Sequence, residues 1–245
     1  MSTNNYTFEA RVALITGASR GLGATLAEFL AAQDYHLILT ARNAADLEAT
    51  ARKLREYGGQ VIAIAGDVAE ASHRRKLAEA AKQTGRLDLL VNNASELGPM
   101  PYLADYPLEA LAQVLAVNMF APLGLVQETL ALLKTSQGLV VNISSDAAAA
   151  GYPNWGGYGA SKAALDLASK TLANELHEAG VGVVSVDPGD MRTAMHQQAF
   201  PGEDISDRPL PEVTLPFWGW LLGQDPLAVS GGRYRAQAEQ WEVVS

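Results

Sequence analysis

At 245 residues, 48% of them hydrophobic, the chain suits one α/β domain, or at most two small ones, with a large core. Its formal net charge of −9 argues against a nucleic-acid partner, which would need a basic face. The absence of cysteine excludes disulfides and cysteine-based metal sites, and the four histidines form no His-x-x-x-His pair, so no metal is expected.

In chain order, Met1–Glu9 is polar and lacks the apolar core of a signal segment. Arg11–Thr16 is a short apolar run fit for a buried parallel strand. A glycine-rich turn follows at Gly17–Gly23. Ala24–Gln33 then has helical spacing, with Leu26, Phe29 and Leu30 on one side. His36–Thr40 predicts a second strand and Ala44–Tyr57 an amphipathic helix closed by Gly58 and Gly59. A third strand is expected over Gln60–Ala65, a polar helix over Glu70–Thr84 and a fourth strand over Leu87–Val91. Leu108–Lys134 reads as one long helix, Leu139–Ile143 as strand five, and a helix from about Gly157 to Ala179 precedes strand six at Val181–Val186.

Strand–helix alternation of this kind gives parallel strands with right-handed crossovers, hence a doubly wound sheet in a single domain over 1–245. The rhythm breaks at 190–216, which holds Pro201, Pro209, Pro211 and Pro216 and no clear strand. A long loop in a compact domain is usually functional, so this one is expected to be a substrate lid. A short helix near Leu215–Leu222 and a last strand near Leu227–Arg235 complete the expectation. No apolar run approaches the ~20 residues of a membrane helix. A soluble, cytoplasmic protein with no membrane partner is expected.

Two stretches carry chemistry. Thr16-Gly17-Ala18-Ser19-Arg20-Gly21-Leu22-Gly23 lies between the first strand and the first helix. Its glycines allow a tight turn and close approach to a pyrophosphate, and the helix start offers unpaired amides. The second stretch begins with Ser144 and Ser145 at the end of strand five and continues to Tyr158 and Lys162, one helical turn apart on one face. An ammonium near a phenol favours phenolate and is expected to lower the tyrosine pKa from its usual ~10. A serine hydroxyl beside them can hydrogen-bond the same substrate oxygen. Together they suit protonation of a carbonyl oxygen while a hydride arrives at its carbon.

These motifs, with Asn92-Asn93-Ala94, Asn118 and Pro188-Gly189, resemble the short-chain dehydrogenase/reductase family in order and approximate spacing. The resemblance covers roughly residues 9–193 well and the tail less well. It implies a seven-stranded parallel Rossmann-type sheet and a nicotinamide dinucleotide. It implies catalytic roles for Tyr158 as general acid or base, Lys162 as its partner and a ribose contact, and Ser145, thirteen residues before Tyr158, as the serine that polarises the carbonyl. Asn118, polar among Val117, Met119 and Phe120, would hold a water leading protons to Lys162. Cofactor contacts are implied at Gly17, Ser19, Arg20, Gly21, Leu22 and Gly23, at Asp67 and Val68 for the adenine, and at Asn93 and Ala94 for the adenosine. Pro188, Gly189, Met191 and Thr193 would meet the nicotinamide carboxamide and phosphates.

Strand two ends in Thr40-Ala41-Arg42, without the acid that would hold free ribose hydroxyls. Arg20 and Arg42 both suit a 2′-phosphate, so NADP(H) is expected over NAD(H). Two departures from the family pattern stand out: Ser95 follows Asn-Asn-Ala where glycine is usual, and Val229-Ser230-Gly231-Gly232 replaces the usual Val-Asp-Gly-Gly ending. Asp146 has no assigned role.

Leu97, Met100, Tyr102, Tyr152, Trp155, Met191, Met195 and Phe200 are expected to wall a site for a hydrophobic ketone, aldehyde or alcohol. Three readings follow: a carbonyl reductase or alcohol dehydrogenase, a 3-oxoacyl-type reductase of fatty-acid or polyketide metabolism, and a non-catalytic dinucleotide sensor. The resemblance also implies a homodimer or homotetramer joined through the helices at 108–134 and 157–179.

Overall fold

The run Val12–Thr16 is buried at all five positions, and its side chains alternate between two cores. Ala13 and Ile15 pack on one face of the sheet, Val12 and Leu14 on the other. The same alternation separates Leu37 and Leu39 from Ile38, and Val184 from Val183. A strand apolar on both faces needs helices on both sides, as in a doubly wound sheet. The computed structural model describes residues 10–243; Met1–Glu9 and the outer bounds of the expected domain lie outside the described residues.

The strands are β1 (Val12–Thr16), β2 (His36–Thr40), β3 (Val61–Ala63), β4 (Leu89–Asn92), β5 (Leu139–Ile143), β6 (Gly182–Asp187) and β7 (Arg233–Arg235). They form one parallel sheet in the order β3-β2-β1-β4-β5-β6-β7. One core holds Leu22, Leu26 and Leu30 of α1 (Gly21–Ala31), Leu47 of α2 (Ala44–Arg55), and Phe217, Trp218 and Leu221 of α8 (Leu215–Leu221). The opposite core holds Leu77 of α3 (Ala71–Thr84), Leu125 and Leu133 of α5 (Ala121–Ser136), and Ala173 and Leu176 of α6 (Gly156–Leu176). The chain leaves the centre in one direction from β1 and in the other from β4. Their carboxyl ends therefore border the crevice where such sheets bind ligands.

Three elements differ from expectation. The long helix is interrupted: α4 (Leu108–Leu115) passes through a π turn at Ala116–Phe120 before α5 begins with Pro122 in its first turn. Such turns recur at functional sites, and this one carries Asn118 into the interior. The Leu108–Ser136 stretch also passes, by length and composition, as apolar enough to cross a membrane, contrary to the expectation that no run does. In the fold it packs beside α3 and α6. The last strand is confined to β7, because Asp225 caps a short helix α9 (Pro226–Val229) through the amides of Leu227 and Ala228. The 190–216 segment contains α7 (Ala194–Ala199), capped by Thr193, whose hydroxyl accepts the His196 amide at 3.2 Å.

Candidate active site

The carboxyl ends of β1, β2, β4, β5 and β6 open into one cleft of about 870 Å³. All the expected site residues line it except Gly23, which packs beneath the turn, and Asn118, which is buried behind the wall. The glycine turn is built for close approach. Gly17 has φ +66°, and a Cβ there would lie 2.8 Å from Asn93 Nδ2. A Cβ on Gly23 would collide with the Gly17 carbonyl. Among the described residues no side chain caps α1 at Arg20, so its first amides are available to an anion. A dinucleotide pyrophosphate fits this cradle.

Asn93 fastens the cradle. Its amide donates to the carbonyls of Thr16 at 2.8 Å and Gly17 at 3.2 Å, while Thr16 Oγ1 accepts the backbone amides of Asn93 and Ala94, both at 2.9 Å. The side chain of Asn93 therefore positions the turn, with Ala94 beside it on the cleft wall. Asp67 accepts the Ala69 amide at 2.9 Å and lines the cleft with Val68. Arg20 is exposed with no ion-pair partner among the described residues. Arg42 is also exposed, and its guanidinium meets Glu96 at 3.3 Å.

At the other end, β5 delivers Ser144 and Ser145, and α6 presents Tyr158 and Lys162 on one face. Helix α6 starts close against Tyr106, and any side chain at Gly157 would strike that ring. A buried ladder ties it to the sheet: Asn92 donates to Asn142, and Asn142 to Ser169, each at 2.8 Å. Lys162 is 1% exposed, donates to the Ile143 carbonyl at 2.7 Å, and lies 5.6 Å from the Tyr158 ring centroid. Burial pulls its pKa down to about 8, against the opposing pull of Asp166.

Tyr158 departs from the expectation of a lowered pKa. Burial pushes it up to about 12; the side-chain contacts with Ser95 and Ser145 oppose that rise, and the carboxylates of Asp187 and Asp146 add to it. The Lys162 ammonium is aimed at the strand carbonyl, so desolvation of the phenolate prevails. Ser145 is the serine that reaches the phenol. Ser144 is 2% exposed and its hydroxyl has no partner among the described residues.

Asn118 is fully buried with all four side-chain bonding sites used. Its oxygen accepts Ser95 Oγ at 3.1 Å and the Glu96 amide at 2.8 Å, and its nitrogen donates to the Glu96 carbonyl and Ser161 Oγ, each at 2.9 Å. Ser95 thus touches both Asn118 and Tyr158, a role sequence reasoning missed although the departure from glycine marked the position. Arg233 is a second omission: it donates to the Ser145 carbonyl at 2.7 Å and to Asp166 at 2.8 Å. Its only sequence signal was a charge at the start of a short last strand.

The expected substrate wall is partly assembled. Leu97, Trp155, Met191 and Met195 line the cleft, while Met100 packs behind Leu97, Ala147 and Tyr158. Trp155 lies edge-on to Tyr158 at 5.9 Å between ring centroids, and Phe200 backs Trp155 at 5.9 Å. Tyr102 is 65% exposed and outside the cleft, because its loop turns the ring to solvent. Tyr152 is also exposed and bonds Asp146 instead. His196, absent from the expectation, lines the cleft beside Phe200.

Residues 11–204 match the short chain dehydrogenase family. An uncharacterized oxidoreductase of Saccharomyces cerevisiae is 37% identical over 187 residues, covering 76% of this chain and 72% of the relative. The oxidoreductase YciK of Escherichia coli K12 is 33% identical over 232 residues, covering 93% and 92%. Among solved structures, a Shigella flexneri 2a chain complexed with NADP superimposes with a TM-score of 0.86 at 31% identity, covering 96% of this chain and 100% of the other.

Proposed function

The chain belongs to the short-chain dehydrogenase family of oxidoreductases, and from that premise we propose that it uses NADP(H) to interconvert a neutral carbonyl compound and its alcohol, with Tyr158 as the proton-transfer group. The observation that carries this reading is the convergence of Ser145, Tyr158 and buried Lys162 at one end of a cleft whose other end is a glycine cradle flanked by Arg20 and Arg42. NADPH would supply the hydride. The Gly17–Gly23 turn, with Ser19 and Leu22, would hold its pyrophosphate, Asp67 and Val68 its adenine, and Pro188, Gly189, Met191 and Thr193 its carboxamide end. Arg20 and Arg42 would grip the 2′-phosphate in forked, charge-assisted bonds. The Shigella relative complexed with NADP supports that preference.

Tyr158 donates its proton to the carbonyl oxygen in reduction and recovers it in oxidation. At neutral pH a phenol held near 12 is almost wholly protonated, which suits the acid role. Ser145 shares the same substrate oxygen. Lys162 lies behind the phenol as the next proton carrier. Asn118 holds the Ser95–Glu96 turn and Ser161 in place, and because its side chain is saturated, a water leading to Lys162 would bond its backbone. The 190–216 segment, with Phe200 beside Trp155 and Met195 on the cleft wall, serves as the lid of an apolar substrate site. Leu108 and Phe120 on the first long helix and Leu167 on the second are exposed apolar side chains. They support a homo-oligomer joined through these helices, and a light-scattering mass of one chain would overturn it.

The test is NADPH oxidation, with NADH in parallel, against cyclohexanone, 2,3-butanedione, aldehydes, quinones and 3-oxoacyl thioesters, with Tyr158→Phe as control. Turnover that needs Tyr158 and prefers NADPH is expected. Tight NADPH binding without turnover of any carbonyl would favour a dinucleotide sensor.

A further inference from the structure

Asp146 follows the catalytic serine, lines the cleft and is exposed. Its two oxygens are both engaged. Ser145 Oγ donates to Oδ1 at 3.0 Å, and the Tyr152 hydroxyl donates to Oδ2 at 2.9 Å. A carboxylate is an acceptor only, so the shared proton in the first bond is the serine's. That hydroxyl has one proton and two lone pairs. One lone pair accepts the Ala147 amide at 3.2 Å. Towards the phenol and the substrate, Ser145 therefore has a lone pair to offer and no proton. Arg233 from β7 holds the carbonyl of the same residue at 2.7 Å.

We propose that Asp146 is a positioning residue that competes with the substrate carbonyl oxygen for the single proton of Ser145, and that Tyr152 weakens its hold by occupying the second carboxylate oxygen. This rests on the carbonyl-reductase reading of the site. For Ser145 to donate to a ketone, its hydroxyl must rotate away from Asp146, giving up a charge-assisted hydrogen bond. The same carboxylate stands among the groups that face Tyr158, which are Ser95, Ser145, Lys162, Asp146 and Asp187. Its negative charge disfavours phenolate. Removing the charge therefore lowers the pKa of the proton-transfer step while freeing the serine proton.

The test compares the unaltered chain with Asp146→Asn, Tyr152→Phe, the double variant and Tyr158→Phe, using the ketone reduced fastest in the panel above. Both altered side chains are exposed, and thermal melts check that the fold is kept. In Asp146→Asn the amide can turn its N–H to Ser145, so kcat for reduction is expected to rise about two- to tenfold, the worth of one modest hydrogen bond. The alkaline fall of the rate, set by loss of the Tyr158 proton, should move to lower pH, with the NADPH Kd unchanged. Tyr152→Phe leaves the carboxylate with Ser145 as its side-chain donor and should lower kcat, and the double variant should behave as Asp146→Asn alone. A kcat unchanged or lowered in Asp146→Asn, or both single variants moving kcat the same way, overturns the proposal while Tyr158 dependence survives. If no ketone is reduced, or Tyr158→Phe reduces as fast as the unaltered chain, the reductase reading falls and this proposal falls with it.

Discussion

The two ends of the cleft are built on opposite plans. At the reacting end Lys162 is 1% exposed and Asn118 fully buried, and their bonds to the Ile143 carbonyl, Ser95, Glu96 and Ser161 are made within the chain. At the phosphate end Arg20 is exposed without an ion-pair partner among the described residues, and Arg42 is 64% exposed on a single ion pair. Proton transfer needs groups held within hydrogen-bond reach, and the fold supplies that rigidity by burying them and satisfying their bonds. Recognition of a mobile dianion needs charge more than fixed geometry. Long arginines in water provide it, at the cost of ordering them when the ligand arrives.

The largest effect should come from breaking the buried end at its reacting atom. Tyr158→Phe removes the proton that the proposed mechanism transfers and is expected to lower kcat about a thousandfold while leaving the NADPH Kd within a factor of two. Lys162 tests the cost of that burial. Its pKa falls from 10.5 to about 8 in the folded chain, so the unfolded chain binds more protons across that window. Stability contributed by Lys162 therefore rises as pH climbs from 8 to 10.5, by ~3 kcal/mol in total. Relative to Lys162→Met, the unaltered chain should gain stability over that range in denaturant titrations; a difference constant with pH would contradict the burial argument. Lys162→Met should also lose activity, separating stability from function.

The exposed end should respond more gently. Arg20→Ala and Arg42→Ala are each expected to weaken NADPH binding about tenfold, since each removes a charge-assisted contact. NADH binding, lacking the 2′-phosphate, should change by less than twofold. Equal losses for the two cofactors would show that the arginines contribute general charge rather than phosphate recognition.

The same contrast governs how much the sequence could reveal. The sheet was legible because runs such as Val12–Thr16 are apolar on both faces and the glycine turn has one sensible place in such a chain. Tyr158 and Lys162 were legible from their four-residue spacing on a helix. The direction of the Tyr158 pKa shift was not, because spacing gives proximity while the shift depends on burial and on where the ammonium points. The π turn at Ala116–Phe120 leaves no periodic signature, because apolar residues continue through it from one helix into the next. Ser95 and Arg233 act through contacts between distant segments: Ser95 and Asn118 lie 23 positions apart, Arg233 and Ser145 88. No local pattern announces such a pair.

Glu96 is where the two plans meet. Its backbone is held by buried Asn118 through both its amide and its carbonyl, while its carboxylate reaches out to Arg42 at 3.3 Å. Glu96 thus holds the guanidinium proposed to grip the 2′-phosphate, and on that reading NADPH displaces it. An exposed ion pair is worth ~0.2–1 kcal/mol, so Glu96→Gln should tighten NADPH binding by roughly 1.5- to fivefold. NADH should not respond, and the gain should vanish in Arg42→Ala, where no guanidinium remains to be released. Fluorescence titrations of both cofactors across this double-mutant cycle read the effect directly. If Glu96→Gln weakened NADPH binding instead, the carboxylate would be holding Arg42 ready for the phosphate, and the exposed end would be preorganised like the buried one.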